Sequence, residues 1–312
     1  MTSQPRSNVP FYTLEEHWVS PALLDAYHND PTSKIDGISP PLGQLTEIAP
    51  VRLAAMDAGN VAVQVVSHAT AGAGTMHMDA EVRAANDQLA TRVAAHPDRL
   101  RGFCLLAMAH PAEAAAEPRR CVLSSAPLST VTSSSTPPPG GKAAVFYDSP
   151  AYDVLWAAAV ELDVPIYLHP AFPPEAAILA AGEGLYAPAA SPSSGDGPST
   201  LSYSNAVAIA LGSSAWGWHS NAGLGFLKLF AAGIFDRFPT LQTVLGHMGE
   251  MVPYFLERAE RRLAPHRPAG SATLREAYSR NVHVTVGGYF SLNALRMLLA
   301  VTDASRVMHS ND

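Results

Sequence analysis

VAVQVVS at residues 61–67, EVRAANDQLATRVAAH at 81–96 and LRGFCLLA at 100–107 together set the architecture. The outer two runs are short, largely uncharged and rich in β-branched or large apolar residues, as strands buried on both faces of a parallel sheet require. The middle run has helical length, with apolar residues at three- and four-residue spacing. Similar short runs recur at 166–169, 243–247, 282–286 and 307–310, with 11–14 as a possible first strand, and helical stretches lie at 151–163, 221–235, 251–263 and 292–301. This alternation is that of an α/β fold. Ser149-Pro150 offers an N-cap and a proline at the first helical position, where its missing N–H costs nothing. Phe238-Pro239 marks a stop after the helix at 221–235.

Seven candidate strands are one short of an eight-stranded α/β barrel, and such barrels of roughly 250 residues are routinely one domain. We therefore read residues 1–312 as a single barrel. The missing strand should lie between Ala107 and Ile166. There, Ser, Thr, Pro and Gly supply 15 of the 18 positions from 124 to 141, the composition of a solvated surface insertion. A damaged barrel strand is the alternative. A second soft stretch, 187–200, reads as a loop excursion over the top of the domain.

The chain of 312 residues is 47% hydrophobic and 15% charged, which excludes wholesale disorder and leaves room for a cleft in a large core. A net charge of -7 without a Lys/Arg cluster argues against nucleic acid and anionic membrane, since both need a basic patch. Neither a signal-peptide pattern nor an apolar run of about 18 residues occurs, so a soluble cytoplasmic protein acting on small molecules is expected. Cys104 and Cys121 form no CxxC pair, and neither a disulfide framework nor a thiolate metal site is indicated.

Four features stand at the C-terminal ends of candidate strands, where such barrels gather their chemistry: Glu15-Glu16-His17, His169-Pro170, Gly246-His247-Met248-Gly249-Glu250 and Ser310-Asn311-Asp312. Side chains at i and i+2 of a strand share a face, so Glu15 and His17 can point together into the mouth with Glu16 turned away. With His169 and Asp312 they make two histidines and two carboxylates, a mixed set that suits Zn²⁺ or Mn²⁺ and disfavours Ca²⁺. His247 and Glu250, three apart where a helix begins, can share a hydrogen bond that orients the ring; alternatively Glu250 only complements the helix N-terminus. His219 sits beside Trp216 and Trp218, which can wall an aromatic pocket or pack a core. His68 and His77 flank a Gly-rich stretch and read mainly as loop surface. Gly72-Ala73-Gly74 lacks the Lys-Ser/Thr of a phosphate loop.

Together, Glu-x-His after the first strand, Tyr-Leu-His-Pro, Leu-Gly-His-Met-Gly-Glu and the final Ser-Asn-Asp resemble the amidohydrolase superfamily, in its aminocarboxymuconate-semialdehyde decarboxylase branch. Leu14-Glu-Glu-His17 is most similar to the hydroxybenzoate decarboxylases. The resemblance implies a metal-dependent (β/α)8 barrel with one divalent ion, Zn²⁺ or Mn²⁺, on Glu15, His17, His169 and Asp312. It also implies His247 and Glu250 as a catalytic pair with Asp312, a substrate-reaching arginine at Arg258, and a homodimer or homotetramer. Trp216, Trp218 and His219 would line the pocket of a small aromatic carboxylic acid. Two departures stand out: the fourth-strand region is atypical, and the closing C-terminal helix of the family is missing after Asp312.

The expected activity is non-oxidative decarboxylation of an ortho-hydroxybenzoic acid of the 2,3-dihydroxybenzoate, γ-resorcylate or salicylate type, with the ring carbon protonated before CO₂ leaves. The same ligands would also serve a metal-dependent hydrolase of a lactone or amide. A truncated, inactive barrel is the third reading.

Overall fold

The computed structural model describes residues 9–29, 42–69, 78–123, 128–133, 146–170, 173, 175–179, 185–189 and 202–310. Its eight strands are β1 (Phe11–Trp18), β2 (Val61–His68), β3 (Leu100–Leu105), β4 (Leu128–Ser133), β5 (Ile166–Pro170), β6 (Thr243–Leu245), β7 (Val282–Thr285) and β8 (Val307–Met308). They pair in parallel in the order β1 to β8. A backbone hydrogen bond from Leu14 N to His309 O, 3.2 Å, brings the end of β8 back to β1. Each crossover carries a helix: α1 (Val51–Ala58), α2 (Asp79–Ala95), α3 (Pro111–Leu123), α4 (Asp153–Leu162), α5 (Gly217–Ala231), α6 (Val252–Leu263) and α7 (Leu292–Val301). Ser149 caps the 3-10 turn at Pro150–Tyr152 that leads into α4, accepting from Ala151 N at 3.3 Å.

The tract read as a surface insertion supplies β4. Leu-Ser-Thr-Val-Thr-Ser at 128–133 lies between β3 and β5, with Thr130 opposite both Leu105 and Tyr167. Composition misleads because Ser and Thr count as loop formers in bulk, whereas Thr and Val branched at Cβ favour extended backbone.

Leu14, Phe103, Tyr167 and Val244 form one buried cluster of strand residues. The outer layer, between strands and helices, is larger; Trp156, Phe226, Phe235 and Tyr278 are among its fully buried members. A second correction concerns the cysteines. Cys104 of β3 and Cys121 of α3 are joined as a disulfide, although 17 residues apart in sequence. A spacing count misses a pair that meets only when a helix folds back on its own strand. Among the described residues no helix is long and apolar enough to cross a membrane.

Candidate functional site

The site begins with an irregularity in β1. Its ladder to β2 steps from Leu14 opposite Val65 to Glu16 opposite Val66, leaving Glu15 as an extra residue with φ 68°. A bulge of this kind inverts the alternation of faces beyond it. Leu14 packs with Phe103 and Tyr167, and Glu15, 0% exposed, meets side chains of β5, β7 and the segment after β8. Glu16 turns outward to the charge of Arg52 on α1, and Trp18 packs near Met56 and Leu89. His17 returns inward beside His169, ring centroids 5.1 Å apart. Beyond the bulge Glu15 and His17 face the same side, but among the described residues the donor atoms that lie within 4.8 Å of one another belong to Glu15, His169 and His247, not His17.

Glu15 uses its two oxygens differently. Oε2 accepts from Thr285 Oγ1 at 2.8 Å and Ser310 Oγ at 3.3 Å. Oε1 lies 3.4 Å from His169 Nε2 and 3.9 Å from His247 Nε2. Three histidines share one habit: His17 Nδ1 meets Ser67 Oγ at 3.0 Å, His169 Nδ1 the Pro170 carbonyl at 2.6 Å, and His247 Nδ1 meets Glu250 Oε1 at 2.5 Å. The carbonyl only accepts, so His169 Nδ1 donates to it and Nε2 is turned toward Glu15 Oε1. Glu15, His169 and His247 each offer a donor atom within 4.8 Å of the others. The chemistry of this set fits a Zn²⁺- or Mn²⁺-type ion, and an imidazole whose other nitrogen is tied back is the usual arrangement at such a centre. Asp312, the fourth expected ligand, lies outside the described residues, as do His77 and Gly72-Ala73-Gly74.

The segment after β6 is left-handed. His247, Met248, Gly249, Glu250 and Met251 have φ of 45°, 60°, 86°, 50° and 67°. That conformation costs roughly 1–2 kcal/mol per non-glycine residue, and such strain concentrates at functional sites. The helix expected at this point starts later, at Val252, so the pairing of His247 with Glu250 arises in a left-handed turn. Gly246 enters that turn under crowding: a Cβ there would lie 2.7 Å from Tyr167 Oη and 3.1 Å from Glu15 Oε1.

Glu250 is fully buried. Burial pushes its carboxyl pKa up, but the charge of His247 and hydrogen bonds from His219 and His247 outweigh this and hold it down at about 2. His219, expected beside the substrate, has its nitrogens against Glu250 Oε2 at 2.9 Å and the Ser214 carbonyl at 3.1 Å. Trp216 is 50% exposed and Trp218 part-buried. Arg258 is exposed on α6 and, among the described residues, makes no hydrogen bond or ion pair, so the single chain does not join it to the site. His68 is the 4% exposed last residue of β2 rather than loop surface. Burial and the neighbouring His17 push its pKa down to about 3.

Sequence reading passed over Thr285, Ser67 and Tyr167. The hydroxyls of Thr285 and Ser67 hold Glu15 and His17, and the Tyr167 ring stands 5.8 Å from that of His169. The available signal was position, since Ser67 is the next-to-last residue of β2 and Thr285 the last of β7.

Comparison with known proteins gives consistent matches. The family described as amidohydrolase matches residues 23–312. The chain is 39% identical over 308 residues to "Decarboxylase orsB" of Emericella nidulans, covering 97% of this chain and 85% of that protein. It is 32% identical over 315 residues to a gamma-resorcylate decarboxylase of Rhodococcus jostii, covering 96% and 86%. A solved dihydroxybenzoic acid decarboxylase from a Polaromonas species, with bound manganese and the inhibitor 2-nitroresorcinol, superposes with a TM-score of 0.75. Identity there is 26%, and the match covers 96% of this chain and 85% of that one.

Proposed function

Because the chain belongs to the amidohydrolase family, among its decarboxylases of aromatic acids, we propose that its substrate is an ortho-hydroxybenzoic acid. The 2,3-dihydroxybenzoate, γ-resorcylate and salicylate types are the candidates, and CO₂ leaves without oxidation. What supports this reading most is the convergence of Glu15, His169 and His247 within 4.8 Å, beside a buried His–Glu pair, at the strand ends of the barrel.

Glu15, His17, His169 and Asp312 would hold one divalent ion, Mn²⁺ or Zn²⁺. When bound, it supplies a Lewis acid and template for the phenolic and carboxylate oxygens of the substrate. The remaining difficulty is at carbon, because direct loss of CO₂ would leave an unstabilised aryl anion. We assign proton delivery to Asp312. In its acid form it protonates the ring carbon bearing the carboxylate; the C–C bond then breaks, CO₂ departs, and the bonding pair restores aromaticity. Asp312 recovers its proton from solvent. Glu250, ionised, holds His247 by Nδ1 and leaves Nε2 to hydrogen-bond the substrate. Trp216 or Trp218 stacks on the ring. Arg258 reaches the substrate of a neighbouring subunit in a homodimer or homotetramer, a role supported by its exposure beside exposed Tyr254 and Phe255 on α6.

The test is CO₂ release by purified protein with Mn²⁺ or Zn²⁺ over 2,6-dihydroxybenzoate, 2,3-dihydroxybenzoate and salicylate. Turnover of at least one, lost in Asp312→Asn, is expected. Bound metal with no turnover of any, or hydrolysis of a lactone panel instead, overturns the reading.

A further inference from the structure

Glu250 serves two histidines, one per oxygen. Oε1 takes His247 Nδ1 and Oε2 takes His219 Nδ1 at 2.9 Å, with the two rings 5.0 Å apart. A carboxylate held by one partner turns about its last bond and offers either oxygen; one held at both oxygens has a fixed plane. His219 is itself fixed at both ends. Its Nε2 meets the Ser214 carbonyl at 3.1 Å.

A second observation, independent of these hydrogen bonds, comes from α5. Gly223 follows His219 by one helical turn, on the same face. A Cβ at Gly223 would lie 2.2 Å from the Glu250 backbone oxygen, closer than any real contact. The helix therefore rests its backbone directly on Glu250, at the depth that brings His219 to the carboxylate. Resting on the decarboxylase reading above, we propose that His219, seated by Gly223, is a positioning residue that orients Glu250 and through it His247. The orientation of His247 is then set from the β5–β6 crossover as well as from its own strained turn.

The experiment compares His219→Leu, His219→Asn and Gly223→Ala with the wild type in three measurements. These are steady-state decarboxylation of 2,6-dihydroxybenzoate, thermal melting, and the ¹⁵N NMR signals of the His247 imidazole, assigned by their loss in His247→Gln. His219→Leu is expected to lower kcat roughly 10- to 100-fold with KM within about two-fold, the scale set by loss of an outer hydrogen-bond partner. Its melting temperature falls by a few degrees, because a buried carboxylate oxygen loses its partner, while in the folded protein the His247 signals shift or split. His219→Asn keeps a donor near Nδ1 and restores most of kcat and the single His247 signal. Gly223→Ala lowers kcat and perturbs the His247 signals as His219→Leu does, with a larger fall in melting temperature because the added Cβ meets backbone. Unchanged kcat and unchanged His247 signals in His219→Leu overturn the proposal, as does a rise in KM at constant kcat, which would make His219 a substrate contact. If the wild type turns over no hydroxybenzoate, the decarboxylase reading fails while the NMR comparison still decides the role of His219.

Discussion

Thr285 shows how much of the site rests on small side chains. Its hydroxyl and that of Ser310 occupy Oε2 of Glu15, which leaves Oε1 toward His169 and His247. Thr285→Val keeps the shape and removes the donor, so affinity for Mn²⁺ should fall roughly 10- to 100-fold; calorimetric titration of metal into the apoprotein measures this. His68 is a different case, a buried imidazole whose two nitrogens have no hydrogen-bond partner among the described residues. Its folded-state pKa is depressed to about 3 from 6.5, chiefly by burial. Between those values the unfolded chain binds a proton that the folded chain refuses. Stability is thus fully present above pH 6.5 and is lost as pH falls toward 3, by on the order of 1 kcal/mol per pH unit. Glu250, depressed from 4.5 to about 2, adds a loss in the same direction below pH 4.5. Urea melts across pH 3–7 should show this slope, and His68→Phe should flatten the part above pH 4.5. The types and order of the site residues were legible in the sequence, because carboxylates and histidines stand out at the ends of apolar runs. The hydroxyls that hold them were not, since one Ser or Thr at a strand end looks like any other.

At the scale of elements, β4 is the strand that composition conceals. Among the described residues its backbone joins β3 to β5 in the sheet, so a ladder bond lost there weakens the sheet at its middle. Thr130→Pro removes one backbone donor and should cost at least about 1–3 kcal/mol, read as a lower urea midpoint; an unchanged midpoint would mean the strand contributes little. The other seven strands and five of the seven crossover helices were legible because apolar period and length change together from strand to helix; α1 and α3 were not read. Their ends were less so: the strand read at 243–247 stops at Leu245, because backbone in the left-handed region cannot continue a ladder and no side-chain pattern announces it. The turn that follows pairs His247 with Glu250 at a spacing that on paper belongs to a right-handed helix.

For the whole molecule, the proposed metal centre would draw its ligands, Glu15, His17, His169 and Asp312, from distant parts of the chain, with His247 beside them. Glu15 of β1 lies next to His169 of β5 and His247 after β6, while Thr285 of β7 and Ser310 after β8 hold its other oxygen. An ion bound there ties the two halves of the barrel, and its removal should be felt globally. Chelation by EDTA is expected to lower the melting temperature as well as abolish turnover, with both restored by Mn²⁺. At a metal concentration 1,000 times Kd the linkage amounts to about 4 kcal/mol. A melting curve indifferent to EDTA would place the ion elsewhere or make it dispensable to the fold. Periodicity gave the α/β alternation and seven strands, and the family resemblance implied the eighth, whereas the disulfide between β3 and α3 depends on a tertiary meeting that spacing does not encode.

The bulge at Glu15 has a practical consequence for anyone who edits or transplants this strand. Its first half and its last half obey opposite parities, joined by one surplus residue. Deleting that residue would leave a regular strand of respectable propensity and an intact ladder. It would nonetheless rotate either the packing half or the ligand half to the wrong side. The motif to be copied is therefore a piece of backbone shape, and a graft that carries Glu-x-His without the bulge at its glutamate transfers the letters and loses the site.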